Sequence, residues 1–337
     1  MNIAFTHRRS GGARLEDGSE EHPFLIKTVQ DFVNFRNEHL SGITHSGIHF
    51  KLVNNIDLQG VSFVQGIAEP YFYGVFDGNF KTIKNFVNDI RRTYEGLFIF
   101  LGNTGIVRNL GLKDINFYKN AVNTTDSNGG IIGANCYGLV ERCYVTGQAN
   151  VPSNFAPISA YLYGGTNRNC WSDVSIQGNQ TRTGGINRGS NSYSGVQPMC
   201  ENCIALGNIN NSNNATLSYV GGVTSCANQS NTTKNCVAAM NSIVAGANLY
   251  KGRIIATHPS AMYVNINNYA LDTMTINGTI PTTNIGATQL NGASATEQQL
   301  KLTAFYRDVM GWDMDNIWEV ETEGVTFPRL RGFNYNF

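Results

Sequence analysis

A short motif in which Asn or Arg precedes Cys or an apolar residue recurs along the chain and constrains its fold. Its anchor positions form one series with steps of 33, 27, 33, 33 and 33 residues: Asn109, Arg142, Asn169, Asn202, Asn235 and Asn268. A fainter copy, Ile83-Lys84-Asn85-Phe86, lies 24 residues before the first anchor. A fixed period of this length predicts a solenoid, in which each repeat packs on its neighbours.

The local pattern within each repeat predicts short strands. After the anchor the chain alternates for a few residues and then meets Gly, as in Cys143-Tyr144-Val145-Thr146-Gly147. A second apolar segment with Gly on its flanks precedes most anchors, for example 129–133. Period-two alternation ended by Gly is typical of strands. We therefore expect an all-β parallel β-helix whose coils stack at about 4.8 Å.

Composition excludes several other classes of protein. The chain has 337 residues, 36 of them Gly, and charged residues make up 14%. Abundant Gly opposes long helices, and a hydrophobic content of 41% opposes disorder. The 24 basic and 24 acidic residues cancel, which argues against a nucleic-acid partner. No segment has the length of a signal peptide's apolar region or of a membrane span, so we expect no membrane insertion.

The residues after the anchors predict an inward ladder. The column consists of Phe86, Leu110, Cys143, Cys170, Cys203, Cys236 and Tyr269. Free Cys packs as a small hydrophobe, so we expect these four thiols to be buried and structural. Cys200 and Cys203 form a lone CxxC, and Cys226 and Cys236 follow at spacings unlike a zinc module. We therefore expect no metal site and no cofactor.

The next position in each repeat should point outward, yet four successive members are apolar. These candidate contact residues are Tyr144, Trp171, Ile204 and Val237. Cover by the chain's own loops would explain them, because a solvent-facing apolar patch normally has a partner. The alternatives are a subunit interface, such as a trimer, or a glycan-stacking strip formed by Tyr144 and Trp171.

The sequence predicts four segments. Residues 1–22 are an extended N-terminal arm, 23–92 an N-terminal cap with the first coils, 93–271 the coils of the 33-residue repeat, and 272–337 a C-terminal coil and cap. Short capping helices are expected near both ends. Thr28 can N-cap a helix over Val29–His39, and Thr296-Glu297-Gln298-Gln299 has the spacing of a capping box. Residues 318–320 and 327–330 are expected to close the last coil.

From about Pro23 to Phe333 the chain resembles the GLUG-repeat family of right-handed β-helix proteins, known from bacterial surface adhesins and phage virion proteins. The resemblance rests on Tyr73-Gly74-Val75-Phe76-Asp77-Gly78, on Gly130-Ile131-Ile132-Gly133 and on the closing block from Trp312 to Leu330. Phe80 stands where most members carry Gly, so the turn there is expected to differ. The resemblance implies a right-handed β-helix used for surface display.

Catalysis by the central coils is not expected. Between Cys143 and Leu271 the only carboxylates are Asp173 and Glu201. Their offset along the strand direction implies a separation of roughly 16 Å at about 3.3 Å per residue. Glycoside hydrolysis needs two carboxyl groups about 5–9.5 Å apart. We therefore expect a protein that is not an enzyme.

Our functional hypothesis is a virion structural protein, a phage head or tail fibre that displays a β-helix for host attachment. The expected partners are further copies of the chain, other virion proteins bound through the N-terminal arm, and a host-surface glycan or protein. The chain start has no signal peptide, which favours the virion surface. The alternatives are an adhesin module on a bacterial cell surface and a β-helical polysaccharide lyase or hydrolase.

Overall fold

The computed structural model describes residues 16–61, 70–89, 94–118, 127–151, 154–179, 181–211, 219–225, 231–246, 250–258 and 263–337. These residues form a parallel β-solenoid of about six turns, with very little helix. The prediction of an all-β parallel solenoid is confirmed. The largest apolar cluster fills the inside of the coils from Ile26 onward and continues into buried residues of the C-terminal segment as far as Leu330.

Three parallel sheets line the solenoid, because each coil adds short strands to each of them. The longest sheet has 20 strands, Phe24–Ile26, His49–Leu52, Ile56–Asp57, Val75–Lys84, Val87–Asp89, Ile106–Tyr118, Leu139–Glu141, Tyr144–Val151, Thr166–Arg168, Trp171–Gly178, Met199–Glu201, Ile204–Ala205, Ile209–Asn211, Thr232–Lys234, Val237–Ala238, Ser242–Ala245, Val264–Ile266, Tyr269–Leu271, Thr275–Ile276 and Ala293–Ala295. The second sheet comprises Tyr71–Phe72, Phe100–Leu101, Ile132–Cys136, Ser159–Tyr163 and Ser190–Asn191, and single bridges continue it to a pair, Thr224–Ser225 and Ile255–Ala256. The third comprises Ser127–Gly129, Asn154–Ala156, Arg182–Gly184, Tyr219–Gly221 and Tyr250–Gly252.

The register confirms most of the predicted repeat and corrects both of its ends. Glu141 pairs with Arg168, which pairs with Glu201, so the anchors that follow these residues lie side by side. In the last coil Lys234 pairs with Ile266, so the anchor is Asn267 and the predicted alignment of Asn268 is one residue too late. The early copy at 83–86 is also misaligned. A bulge after Asp77 shifts the register, and Lys81 pairs with Leu110.

At each anchor the long sheet bends, and the bend requires a left-handed backbone. Six successive anchors have φ between 51° and 54°: Asn109, Arg142, Asn169, Asn202, Asn235 and Asn267. Asn tolerates this conformation better than most residues. The amide of Asn202 also donates to Asn169 Oδ1 at 3.2 Å, and Asn235 and Asn267 continue the ladder at 3.2 and 3.1 Å. Phe80, at the position before Lys81, has the same left-handed conformation, with φ of 58°.

A column of alternating charge lies beside the Asn ladder. The register brings together Lys51, Asp77, Arg108, Glu141, Arg168, Glu201 and Lys234. Ion pairs join Asp77 to Arg108 at 2.9 Å, Glu141 to Arg168 at 2.9 Å and Glu201 to Lys234 at 2.8 Å. In-register coils would place like charges side by side if every repeat carried the same residue, so alternation removes that repulsion.

The N-terminal cap is a helix that closes the first coils. Thr28 caps α1, Val29–Leu40, with a reciprocal pair of hydrogen bonds to Asp31, as the capping-box pattern requires. Phe32 and Phe35 lie on the buried face of this helix and have no exposed surface. The predicted helix is confirmed. The described part of the predicted arm, 16–22, is a turn bonded to the first coil through Gly18 and His49, while residues 1–15 lie outside the described residues.

The predicted C-terminal helix and its capping box are confirmed in short form. Thr296 and Gln299 exchange the expected hydrogen bonds before a 3-10 turn at Gln299–Lys301, and a π-helical turn follows at Phe305–Met310. The last coil is closed by Ala293–Ala295, which pairs with Tyr269–Leu271.

The prediction that 318–320 and 327–330 close the last coil is wrong. Trp318–Glu319 and Arg329–Leu330 pair with each other in an antiparallel ribbon. This ribbon belongs to a segment, 305–337, that runs back along the side of the solenoid and is called the C-terminal strap below. Residues further along the strap contact coils that come earlier in the chain. Val309 accepts from Asn267, Trp312 donates to Asn235, and Trp318 donates to Asn169.

Candidate functional site

The four residues predicted to point outward lie side by side in one column, but they are not exposed. Tyr144 pairs with Trp171, Trp171 with Ile204, and Ile204 with Val237. The exposed fractions of these four side chains are 0, 8, 0 and 0% in that order. These side chains therefore do not form a solvent-facing surface, which agrees with cover by the chain's own segments.

The C-terminal strap covers the end of this column formed by Tyr144 and Trp171. Tyr144 stacks on Trp171 at 4.9 Å, and Tyr335 of the strap lies 5.2 Å from the first ring and 5.9 Å from the second. Phe333 contacts Tyr144 edge to face at 5.0 Å. The apolar residues reflect cover by the chain's own C-terminal segment, the first explanation considered from the sequence. They are not available to a glycan or a second subunit while the strap is in place.

A different set of aromatic side chains lies on the outer face of the second sheet. We call it the tyrosine strip, defined as Tyr71, Tyr73, Tyr137, Tyr161, Tyr163 and Tyr193. Five of the rings are half-buried and Tyr193 is 44% exposed. The strip exists because period-two alternation points residues on both sides of a buried one outward, as around Phe72.

The rings of the strip contact one another from coil to coil, and Tyr71 and Tyr137 make contact although the coil that carries Phe100 lies between them. Centroid distances are 5.9 Å between Tyr71 and Tyr137, 5.1 Å between Tyr137 and Tyr163, and 5.4 Å between Tyr163 and Tyr193. Tyr71 also stacks on Phe100 at 4.7 Å. The contacts give a continuous, partly exposed aromatic surface that runs along the solenoid axis, across the strands.

Two glycines leave the space in which two of the tyrosine rings lie against the sheet. A Cβ at Gly102 would lie 2.2 Å from the Tyr73 ring, and one at Gly189 would lie 2.8 Å from the Tyr161 ring. Both tyrosines therefore lie over a neighbouring coil in space that only Gly leaves free. The guanidinium group of Arg188 stacks on the half-buried Tyr161 ring, with its central carbon 4.8 Å from the ring centroid. These contacts preorganise the rings.

Polar groups accompany the aromatic rings. The hydroxyl of Tyr161 donates to the carbonyl of Ser190 at 3.1 Å, and the amide of Asn135 lies 3.5 Å from the Tyr137 hydroxyl. Burial raises the pKa of Tyr137 to about 12. The surface can therefore stack on an apolar ring face and hydrogen-bond groups at the ring edge, which is the combination a sugar requires.

The other predicted features have clear positions. The four ladder thiols, those of Cys143, Cys170, Cys203 and Cys236, are fully buried and unpaired, as predicted, and Cys226 lies outside the described residues. Glu201, one of the two central carboxylates, forms an ion pair with Lys234. No helix among the described residues is both long and apolar enough to cross a membrane.

The sequence contains a signal for the tyrosine strip that the repeat analysis missed. Tyr71-Phe72-Tyr73 and Tyr161-Leu162-Tyr163 each place two tyrosines around one buried apolar residue. The alignment of anchors covers only the long sheet. Bringing these triplets together requires the register of the second sheet, which depends on the lengths of the intervening turns.

Comparisons with known proteins show the fold and leave the family open. No protein-family model matches the chain. A crystal structure from Bacteroides ovatus, titled "putative immunoglobulin A1 protease", superposes with a TM-score of 0.70 at 21% identity, over 93% of this chain and 94% of that one. A "Putative Gly-rich membrane protein" of Evansella cellulosilytica is 36% identical over 104 residues, 28% of this chain but only 12% of that protein. Similarity to the GLUG-repeat family is thus supported in its β-solenoid fold, and membership stays a prediction.

Proposed function

We propose that this chain is a non-catalytic, glycan-binding module of a bacterial surface protein, and that the tyrosine strip contacts the glycan. The observation that carries the proposal is the row of six tyrosines, five half-buried and one exposed, whose rings contact one another along one side of the solenoid. Single tyrosines are often partly exposed, but a contiguous exposed set marks an interaction surface. Coils repeat at about 4.8 Å, comparable with the length of one sugar ring, so a linear glycan could lie along the strip.

The column from Tyr144 to Val237 offers no exposed subunit interface for a virion fibre, because its side chains are buried and the C-terminal strap packs on Tyr144 and Trp171. A bacterial surface location is favoured by the partial match to a bacterial protein named as a membrane protein. That match spans a small part of a longer protein, which suits a module within a larger assembly of domains.

The test is binding of the intact chain to an array of bacterial and mammalian glycans, followed by titration calorimetry with the best oligosaccharide. We expect Tyr163→Ala and Tyr193→Ala each to weaken binding about two- to tenfold, since one aromatic contact contributes about 0.5–1.5 kcal/mol. Tyr250→Ala is the matched control, because Tyr250 is a half-buried ring stacked on Tyr219 of another sheet.

Two outcomes would count against the proposal. Failure of every glycan to bind would remove it, and equal losses in the Tyr250→Ala and Tyr193→Ala variants would show that the strip has no special role. Release of new reducing ends from the bound glycan would favour the lyase or hydrolase alternative.

A further inference from the structure

Three buried thiols converge at one point in the solenoid interior. The Sγ atoms of Cys200, Cys203 and Cys236 all lie within 4.8 Å of one another, and those of Cys200 and Cys236 are 4.0 Å apart. All three side chains have no exposed surface. We call them the thiol triad.

The sulfur atoms of the inward Cys ladder lie in a line, and Cys200 adds a sulfur atom beside that line, so that three sulfur atoms form a triangle. Cys203 and Cys236 belong to the inward ladder, in which successive thiols lie one coil apart. Cys200 belongs to the neighbouring inward column, whose other members are Phe50, Phe76, Val107, Val140, Asn167, Thr233 and Asn265. No other described residue of that column carries sulfur, so this level of the solenoid differs from the rest of the Cys ladder.

We propose that the thiol triad is a three-coordinate binding site for one Cu(I) ion. Three sulfur ligands around an ion in a plane, each at about 2.3 Å, would be separated by about 4.0 Å. The observed Cys200–Cys236 separation equals that value, and a small inward movement of Cys203 completes the triangle.

The inward Cys ladder provides no fourth thiolate within reach of the thiol triad. The number of ligands, three, therefore indicates which ion the site prefers. Cys170 lies one coil from Cys203 and two coils from Cys236, or about 9.6 Å along the axis. It cannot share an ion with Cys236. Structural zinc takes four ligands, whereas soft thiolates select Cu(I), which is satisfied by three. The sequence argument against a metal considered spacing along the chain, but the solenoid brings Cys236 beside Cys203 in space.

Proton release accompanies binding. In the metal-free protein Cys203 and Cys236 donate to the carbonyls of Glu201 and Lys234, both at 3.2 Å. Each thiol that binds Cu(I) as thiolate releases its proton to solvent, with no change in oxidation state. Binding should therefore tighten as pH rises.

The experiment uses the whole chain, unfolded and refolded without oxygen in the presence of one equivalent of Cu(I), because the triad has no exposed surface. Bound copper is measured by native mass spectrometry and by competition with bathocuproine disulfonate. We expect one ion on the wild-type chain and none on Cys200→Thr, which introduces the residue that the next coil carries at Thr233. Cys143→Ser is the matched control, since Cys143 lies in the ladder two coils from Cys203, and should retain the ion.

Stability provides the second measurement. Cu(I) should raise the Tm of the wild-type and Cys143→Ser proteins and leave that of Cys200→Thr unchanged. If Cys200→Thr does not fold, Cys236→Ala takes its place. Absence of copper from the refolded wild-type chain would overturn the proposal, as would equal loss of copper from Cys143→Ser and Cys200→Thr.

Discussion

Trp318 Nε1 donates a hydrogen bond to Oδ1 of Asn169 at 3.3 Å, although 149 residues separate them. Asn169 is an anchor of the left-handed bend, and Trp318 belongs to the C-terminal strap. The same strap places Tyr335 over Tyr144 and Trp171. One return segment therefore stabilises a row of bends and also covers the apolar column beside them.

Loss of strap contacts should destabilise the whole solenoid. Trp318 is fully buried and also stacks on Trp312 at 4.4 Å. We expect Trp318→Ala to lower the free energy of unfolding by about 3–5 kcal/mol, the usual cost of removing a large buried aromatic side chain. Urea denaturation followed by circular dichroism measures it. Val325→Ala, at an exposed position of the same strap, is the control. Equal effects of the two substitutions would contradict this role.

Displacing only the end of the strap should expose the column that it covers. We expect Phe333→Ser combined with Tyr335→Ser to increase binding of an apolar dye and to promote self-association, because the rings of Tyr144 and Trp171 would face solvent. Light scattering gives the solution mass. A monomeric double variant with unchanged dye binding would show that other residues cover the column.

The left-handed bend makes Asn202 sensitive to substitution. Asn202→Ala should cost about 1–2 kcal/mol, because Ala lacks the short polar side chain whose local hydrogen bonds let Asn tolerate the left-handed conformation. The variant also loses the side-chain bonds to Asn169 and from Asn235. Asn202→Gly keeps the conformation and loses only the bonds, so it should cost less. Thermal unfolding of both variants separates the two effects, and a glycine variant less stable than the alanine variant would refute the conformational argument.

Stability should have an optimum between acid and neutral pH. Burial lowers the pKa of His45 from 6.5 to about 4, so the unfolded chain binds more protons between these values and stability falls as pH decreases through them. Burial raises the pKa of Glu38 from 4.5 to about 7, so stability falls as pH rises through that range. Glu38→Gln should remove the loss at higher pH and keep the loss in acid. An unchanged fall in stability between pH 4.5 and about 7 in that variant would disprove the assignment.

A buried arginine closes the last coils. Arg253 has no exposed surface and donates to the carbonyls of Asn291 and Leu271 at 3.1 and 3.0 Å and to Ser294 Oγ at 3.1 Å. We expect Arg253→Met to cost about 3 kcal/mol, because it leaves buried carbonyl groups without donors. Arg253→Lys should recover only part of this, since one ammonium cannot reach three separated acceptors. If Arg253→Lys recovered the full free energy of unfolding in urea denaturation, the three hydrogen bonds of the guanidinium group would not be what stabilises these coils.

The sequence by itself determined the solenoid, the inward Cys ladder, the N-terminal cap and the capping box at Thr296, because these depend on periodicity and on contacts between near neighbours. The tertiary structure alone decided which outward residues are exposed. Tyr144 and Trp171 are covered by a segment that follows them by more than 150 residues, and the tyrosine strip forms only once turns of unequal length bring Tyr71, Tyr137 and Tyr193 into contact. Alternation along a strand specifies the side of the sheet on which a residue lies, but its burial depends on what packs there, and that is a long-range contact without local periodicity.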